Sequence, residues 1–230
     1  LDPYAREWQG GNSRWDVIDL FRMAQALRPE GFVWPRNEQD VPTFRLEKLT
    51  EVNGIGHESA HDAVSDVLAT IDVTKKLRQA QPKLYDFLFE LKKVTSQLYP
   101  LGKQPVIHIS SMYPAAKNCI AIILPICAHP SNPNGVICFD LSQTPDTLLK
   151  AGPNELHRLM FSRKEDLAEG ETRIALKTLH INRCPAIAPI AAVKGQETRL
   201  GLDMEKCMAH LRQLQTASGV VEKIQEAISQ

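Results

Sequence analysis

The sequence predicts an α+β protein in two parts, a helical segment over residues 1–82 and a strand-rich segment over 83–230 with helices set into it. Three observations predict this. Apolar residues recur at helical spacing through the first eighty positions, with no strand pattern among them. The pattern changes after Gln81-Pro82. Beyond that point short β-type runs alternate with turn signals such as Ala128-His129-Pro130-Ser131-Asn132-Pro133-Asn134-Gly135, which is the pattern of a small barrel or strongly bent sheet.

Each element has a local cause. Ser13 is placed to cap a helix whose Trp15, Ile18, Phe21, Ala24 and Leu27 share a face, ending at Arg28-Pro29-Glu30-Gly31. Gly31 to Pro42 reads as a loop, and Phe44, Leu46 and Leu49 mark a short helix stopped by Asn53-Gly54. Ser59 and Asp62 resemble a capping box opening a helix to about Arg78, with Val67, Leu68 and Ile71 expected to face inward. A helix over 83–93 carries Leu84, Tyr85, Phe87, Leu88 and Phe89. Strand-like runs follow at Val106–Met112, Cys119–Cys127, Gly135–Leu141 and Arg173–Ile181, with helices at about 153–161 and 203–229. With no strands to pack on in the first part, Trp15, Ile18 and Phe21 are expected to leave apolar surface exposed.

Twenty-seven basic and twenty-seven acidic side chains cancel, so no global positive field announces nucleic acid. The balance is uneven, net −3 over residues 1–82 and net +3 over 83–230, an asymmetry that ordinary solvated surface also produces. Five cysteines without a C-x-x-C pair argue against a zinc site or a disulfide framework and suit a reducing cytoplasm. Cys119, Cys127 and Cys138 read as small core residues. His108, His129 and His180, beside strand-like runs, read as structural histidines rather than metal ligands. No signal peptide or membrane-spanning apolar run is visible, and Leu1-Asp2-Pro3-Tyr4 reads as the middle of a longer chain.

The densest chemistry lies at Gly56-His57-Glu58-Ser59-Ala60-His61-Asp62-Ala63-Val64-Ser65-Asp66. Asp62 and Asp66 are four apart and share a helix face, a carboxylate pair able to bind Mg²⁺. The spacing alone equally suits a first-turn acid complementing the helix dipole and a solvated partner. His61, five before Asp66, falls at the fraying first turn, from where it reaches the site at another angle.

This segment resembles the last active-site motif of DEDDh 3′→5′ exonucleases. Together with Asn12-Ser13-Arg14-Trp15-Asp16, Ala26-Leu27-Arg28-Pro29-Glu30-Gly31, Phe44-Arg45-Leu46-Glu47 and Asn53-Gly54-Ile55 it is similar to the bacterial exonuclease I family. His108-Ile109-Ser110-Ser111-Met112-Tyr113, Ala128-His129-Pro130 and Leu179-His180-Ile181-Asn182-Arg183-Cys184-Pro185 resemble that family's SH3-like domain. The resemblance implies that residues 1–82 are the back part of an RNase H-like exonuclease domain and 83–230 the SH3-like domain. It implies single-strand-specific 3′→5′ exodeoxyribonuclease activity in DNA repair and recombination, releasing nucleoside 5′-monophosphates with two Mg²⁺ ions.

Carried over by resemblance, Asp66 is a metal ligand, His61 the catalytic histidine, and Arg45 a contact to the terminal nucleotide. Three of the family's four acidic metal-site residues would then precede Leu1, and this chain is expected to be inactive alone. The residue types suit phosphodiester hydrolysis. Two ions about 3.5–4 Å apart neutralise charge and activate water, an imidazole takes a proton, and a guanidinium fork suits phosphate. The resemblance also puts Tyr4, Trp8, Arg22, Asn134, Phe161, Lys177 and Asn182 on the path of single-stranded DNA, where basic groups hold the backbone and aromatic faces take bases. Core packing is the alternative for Trp8 and Phe161, and Asn134-Gly135 is equally a turn signal. Phe161 stands where the family leads one to expect tyrosine.

Arg28, Phe87, Lys103 and Lys194 are implied for a second partner, the acidic, Phe-ending tail of single-stranded DNA-binding protein, which needs cations for a carboxylate and a pocket for a ring. Gln104 and Gln215 stand where lysine and arginine are expected, which puts the affinity for that tail in doubt, and Arg28 is equally a cation at a helix C-terminus. A monomer with no membrane partner is expected. The competing reading is a non-catalytic module that binds single-stranded DNA or a protein tail.

Overall fold

The computed structural model describes residues 9–12, 15–56, 62–94 and 101–230. The chain forms two compact units, each built from separate stretches. The first comprises Leu1–Thr95, His108–Ile120 and Asn182–Ile187; the second comprises Ser96–Ile107, Ala121–Ile181 and Ala188–Gln230.

The first unit is mainly helical: Ile18–Leu27 (α1), Leu46–Val52 (α2), Ala63–Ala80 (α3) and Pro82–Val94 (α4). The expected cap Ser13 lies outside the described residues, and Asp16 Oδ1 receives the Ile18 amide at 3.0 Å. Leu20, Met23, Ala24 and Leu27 of α1 are buried with Val73 and Leu77 of α3 and Leu88 and Leu91 of α4. Between α1 and α2 the loop is held by a tilted aromatic row, Phe21, Phe32, Trp34 and Phe44, with neighbouring centroids 5.9, 4.7 and 6.4 Å apart. The only extended pairing described before α4 is a single bridge, Arg36 with Pro42.

Two expectations for this unit are corrected. Val67, Leu68 and Ile71 face solvent, 58, 57 and 44 % exposed, and the inward residues of α3 are Ala69, Val73 and Leu77. The helix is apolar along two faces, so periodicity could not choose between them. The smaller stripe, at i, i+4 and i+8, faces inward, and α3 packs on both α2 and α4. Exposed apolar surface is therefore present, but on α3 (with Val64) rather than on α1. Phe21 is buried, and Trp15 sits edge-on to Tyr85 and Phe89 at 5.5 and 6.0 Å.

Strands Val106–Ile109 (β1), Ile120–Ala128 (β2), Gly135–Asp140 (β3), Leu176–His180 (β4) and Ala186–Pro189 (β5) form a sheet in the order β4-β3-β2-β1-β5. β3 is antiparallel to both β2 and β4, and the β2–β3 register shifts between Pro125 and Cys127. The bulge coincides with a proline that has no N–H for the ladder. The helices of the second unit are Asp146–Lys150 (α5), Pro153–Phe161 (α6), Glu197–Leu200 (α7), Met204–Thr216 (α8) and Val220–Ser229 (α9). Its core holds Ile122, Leu124, Ile137, Phe139, Leu141, Leu148 and Leu156.

Here too the reading is corrected. The stretch 203–229 is two helices, because Gly219 takes φ 70°, the left-handed conformation that suits glycine, immediately before α9. The fourth strand starts at Leu176 rather than Arg173, and β5 and α5, too short for a periodic signal, were not expected. All five cysteines are buried, Cys119, Cys127 and Cys138 as expected, and burial pushes the Cys127 and Cys207 thiols up to about 11. His108 is buried against the Tyr113 hydroxyl at 3.0 Å, and His180 Nδ1 lies 3.4 Å from Asn132 Nδ2.

Candidate nucleic-acid interface

In the first unit the candidate residues sit at helix ends. Arg45 occupies the N-cap position of α2 with extended backbone, and its carbonyl receives the amides of Lys48 and Leu49 at 3.1 and 3.0 Å. The backbone is thus fixed while the guanidinium lies in solvent. Asp66 stands half-buried in the first turn of α3. Asp62, not Ser59, is the cap of that helix: its Oδ2 receives the Ser65 amide at 3.0 Å. One oxygen of the expected carboxylate pair is therefore engaged by the helix itself. Among the described residues no group of three or more His, Cys, Asp or Glu side chains can hold a metal ion. They do not by themselves fit a two-ion centre. His61, Tyr4, Trp8 and Ser59 lie outside the described residues.

Arg22, expected along a DNA path, has a side chain only 14 % exposed. Its Nη1 donates to Asp19 Oδ1 at 2.6 Å and its guanidinium lies 5.9 Å from the Phe44 ring centroid, beside the Arg45 backbone. Burial pushes the Asp19 carboxyl up, against the pull of Arg22. The burial of this pair was not legible, since Asp19 and Arg22 look like an ordinary i, i+3 surface couple. Arg28 is exposed at the end of α1 and donates to its own neighbour's carbonyl, Leu27 O, at 2.5 Å, as the dipole alternative anticipates. Phe87 is 37 % exposed on α4. Asn182, exposed, also falls in this unit.

In the second unit Asn134 lies in the turn between β2 and β3, and Lys177 lies on β4. Asn134 is exposed, its amide donating to Asn132 Oδ1 at 3.0 Å and its carbonyl accepting from Ile181 at 2.9 Å. Lys177 pairs with Cys138 across the ladder, and burial lowers its pKa against the pull of Asp140. Phe161 ends α6 with its ring 55 % exposed, which favours a contact role over core packing. His157 lies 4.8 Å from that ring and is itself anchored through Nδ1 to Ala227 O at 2.7 Å. Lys103 and Lys194 are exposed. Gln215 donates to the carbonyls of Gly102 and Lys103 at 3.4 and 2.7 Å, so the residue standing where a cation was expected secures the backbone of the 101–104 turn.

A two-point ion pair braces the segment after α6. Arg158 Nη1 and Nη2 meet Glu171 Oε2 and Oε1 at 2.8 and 2.5 Å, and the Ala168 amide adds a bond to Oε2 at 3.0 Å. These bonds, first the one from Arg158, hold the Glu171 carboxyl down to about 2. A depressed carboxyl favours the folded arrangement above its ordinary pKa of 4.5 and ceases to do so as pH falls toward the folded value. The Ala168 amide ¹⁵N shift is therefore expected to titrate with a midpoint near 2; a midpoint at 4 or above would show that the clamp does not form.

Comparison with known proteins places these features in a family. Residues 90–230 match the exonuclease I SH3-like domain. The chain is 38 % identical over 235 residues to exodeoxyribonuclease I of Haemophilus influenzae, covering 100 % of this chain and 50 % of that protein. Solved structures that are similar include two complexes. One is the zinc-ion-bound form of an E. coli ExoI–ssDNA complex (37 % identity, TM-score 0.92, 100 % of this chain and 50 % of that one). The other is an ExoI/SSB-Ct complex (36 % identity, TM-score 0.91, the same coverage). The chain spans about half the length of the curated relatives it matches. With the SH3-like match across its strand-rich part and homology along its whole length, the chain belongs to the exonuclease I family.

Proposed function

We propose that this chain carries the strand-holding part and the last catalytic motif of a single-stranded-DNA-specific 3′→5′ exodeoxyribonuclease of the cytoplasm, acting in DNA repair and recombination. The observation that supports this most is the likeness along the full chain to a nuclease solved with single-stranded DNA, within which α2 and α3 present Arg45 and Asp66. On this reading residues 1–82 belong to the nuclease domain and 83–230 to the SH3-like domain.

Each residue has a task. Arg45, with an exposed fork on a fixed backbone, grips the phosphate or 3′ end of the terminal nucleotide. His61 takes the proton of the attacking water through an imidazole nitrogen. Asp66 would supply one ligand toward Mg²⁺, which when bound would neutralise charge at the scissile phosphate. The strand runs over Tyr4, Trp8 and Arg22 in the nuclease domain and Asn134, Phe161, Lys177 and Asn182 in the SH3-like domain. Arg28, Phe87, Lys103 and Lys194 receive the acidic tail of single-stranded DNA-binding protein, with Gln215 weakening that contact because it adds no charge.

One carboxylate does not make a two-ion centre, so the chain alone is expected to bind DNA without cutting it. Fluorescence anisotropy with labelled oligo-dT at two salt concentrations, with Mg²⁺ and an assay for released mononucleotide, tests this. Salt-sensitive binding without release is expected. Release that disappears in His61→Ala would mean the metal site is complete, and absence of binding would remove the strand-holding role. A second reading, a non-catalytic binding module, is favoured by the lack of a metal-holding cluster among the described residues. The coding sequence before Leu1 separates the two: an Asp-x-Glu motif there supports the nuclease, a start codon the module.

A further inference from the structure

The end of α6 presents a pairing of groups that the family resemblance does not assign. Phe161 is the last residue of α6, and its ring is 55 % exposed, among the most exposed large apolar side chains of the second unit. The ring is not loose, because His157 packs against it and is itself tied to α9 through Ala227. The chain then leaves in the segment 162–172 and returns beside the same helix end. The return is set by Arg158, one turn before Phe161, which clamps Glu171 by both of its terminal nitrogens. Two residues on, Arg173 Nη2 donates to Met160 O at 2.7 Å. Arg173 is exposed, and that carbonyl is the one acceptor given to its guanidinium, with no carboxylate within ion-pair reach among the described residues.

Arg158 and Arg173 are thus in opposite states. Arg158 has its charge matched by Glu171. Arg173 is oriented by a neutral carbonyl, that of the residue before Phe161, and keeps most of its five donors. An exposed aromatic ring and an unmatched guanidinium at the same helix end are what single-stranded nucleic acid needs, since the base stacks and the neighbouring phosphate meets the cation. A simpler role, a cation complementing the C-terminus of α6, uses the same Met160 bond and accounts for the charge but not for the exposed ring beside it.

We propose that Arg173 is a phosphate-contact residue that works with Phe161 as one nucleotide-binding step on single-stranded DNA. The proposal rests on the strand-binding reading above. The Arg158–Glu171 clamp positions it, and His157 positions the ring.

The test is oligo-dT anisotropy on the full chain over a salt series. Arg173→Ala is expected to weaken binding about tenfold at low salt and to reduce the slope of log K against log salt by about 0.7, one phosphate on a single strand. Arg173→Lys keeps the charge and is expected to keep the slope. Phe161→Ala weakens binding with the slope unchanged, and the double variant loses less than the sum of the two because the contacts share one nucleotide. Arg199→Ala, at an exposed guanidinium bonded to Gln196, is the control and leaves binding unchanged. Unaltered affinity and slope in Arg173→Ala, with the parent chain binding, would overturn the proposal alone and leave Arg173 as a helix-end residue. A parent chain that does not bind would overturn both readings.

Discussion

Asn53→Ala is expected to destabilise the first unit by about 2–3 kcal/mol, because one buried amide serves three backbone groups. Asn53 is 4 % exposed at the end of α2. Its Nδ2 donates to Val33 O at 2.8 Å and Leu49 O at 2.9 Å, and its Oδ1 receives the Val33 amide at 3.2 Å. Its own carbonyl accepts from Lys76 of α3. The side chain thereby fastens the loop before α2 to the helix that Arg45 precedes, and the main chain fastens that helix to the one that bears Asp66. Alanine leaves the buried Leu49 carbonyl without its side-chain partner. Asn53→Asp is expected to be worse, since a carboxylate would face two carbonyl oxygens. All three tryptophans fall within the first thirty-four residues, so urea unfolding followed by their fluorescence reports on this part of the chain. A lower midpoint at constant slope is the expected result; an unchanged midpoint would mean that solvent replaces these bonds without cost.

Gly135→Val is expected to cost the second unit about 3 kcal/mol, at the upper end for overpacking. A Cβ at this position would lie 2.7 Å from His129 Cβ, 3.1 Å from Thr178 Cγ2 and 3.3 Å from Asn132 Nδ2. Two of these belong to the turn that presents Asn134 and the third to β4, so relief requires the turn and the ladder to part. The glycine is needed for close approach of neighbours, not for an unusual backbone angle. A large fall in melting temperature by far-ultraviolet circular dichroism is expected, with weaker oligo-dT binding wherever the turn shifts Asn134. A variant that melts with the parent would show that the His129 segment gives way freely.

Much of the fold was legible because local rules agreed with one another. The stop at Asn53-Gly54 and helices α1, α2, α4 and α6 follow from periodicity and breaking residues, and β2 and β3 from unbroken apolar runs bounded by turn residues. What was not legible has specific physical causes. Helix α3 is apolar on two sides, so the inward stripe of Ala69, Val73 and Leu77 depends on which neighbours it meets. β5, four residues long, owes its existence to the sheet it joins. The join at 217–219 between α8 and α9 turned on one left-handed glycine within an otherwise continuous helical pattern.

The candidate site divides in the same way. Asp66 in the first turn of one helix and Arg45 ahead of another were readable from the chain because a helix converts spacing into direction, while His61 lies outside the described residues. Which charges are free was decided only by tertiary structure. Arg22 looks like an ordinary surface cation in sequence and is held by Asp19 with little exposure, whereas Arg173 reads as the start of a strand and stands exposed ahead of β4, bonded to Met160 O at the end of α6. A side chain's partner is set by segments distant in sequence, and pairing and burial together determine whether a cation can meet a phosphate. The sequence by itself determined the family, the element types and the chemistry at hand; packing decided the faces, the partners and the exposure on which that chemistry depends.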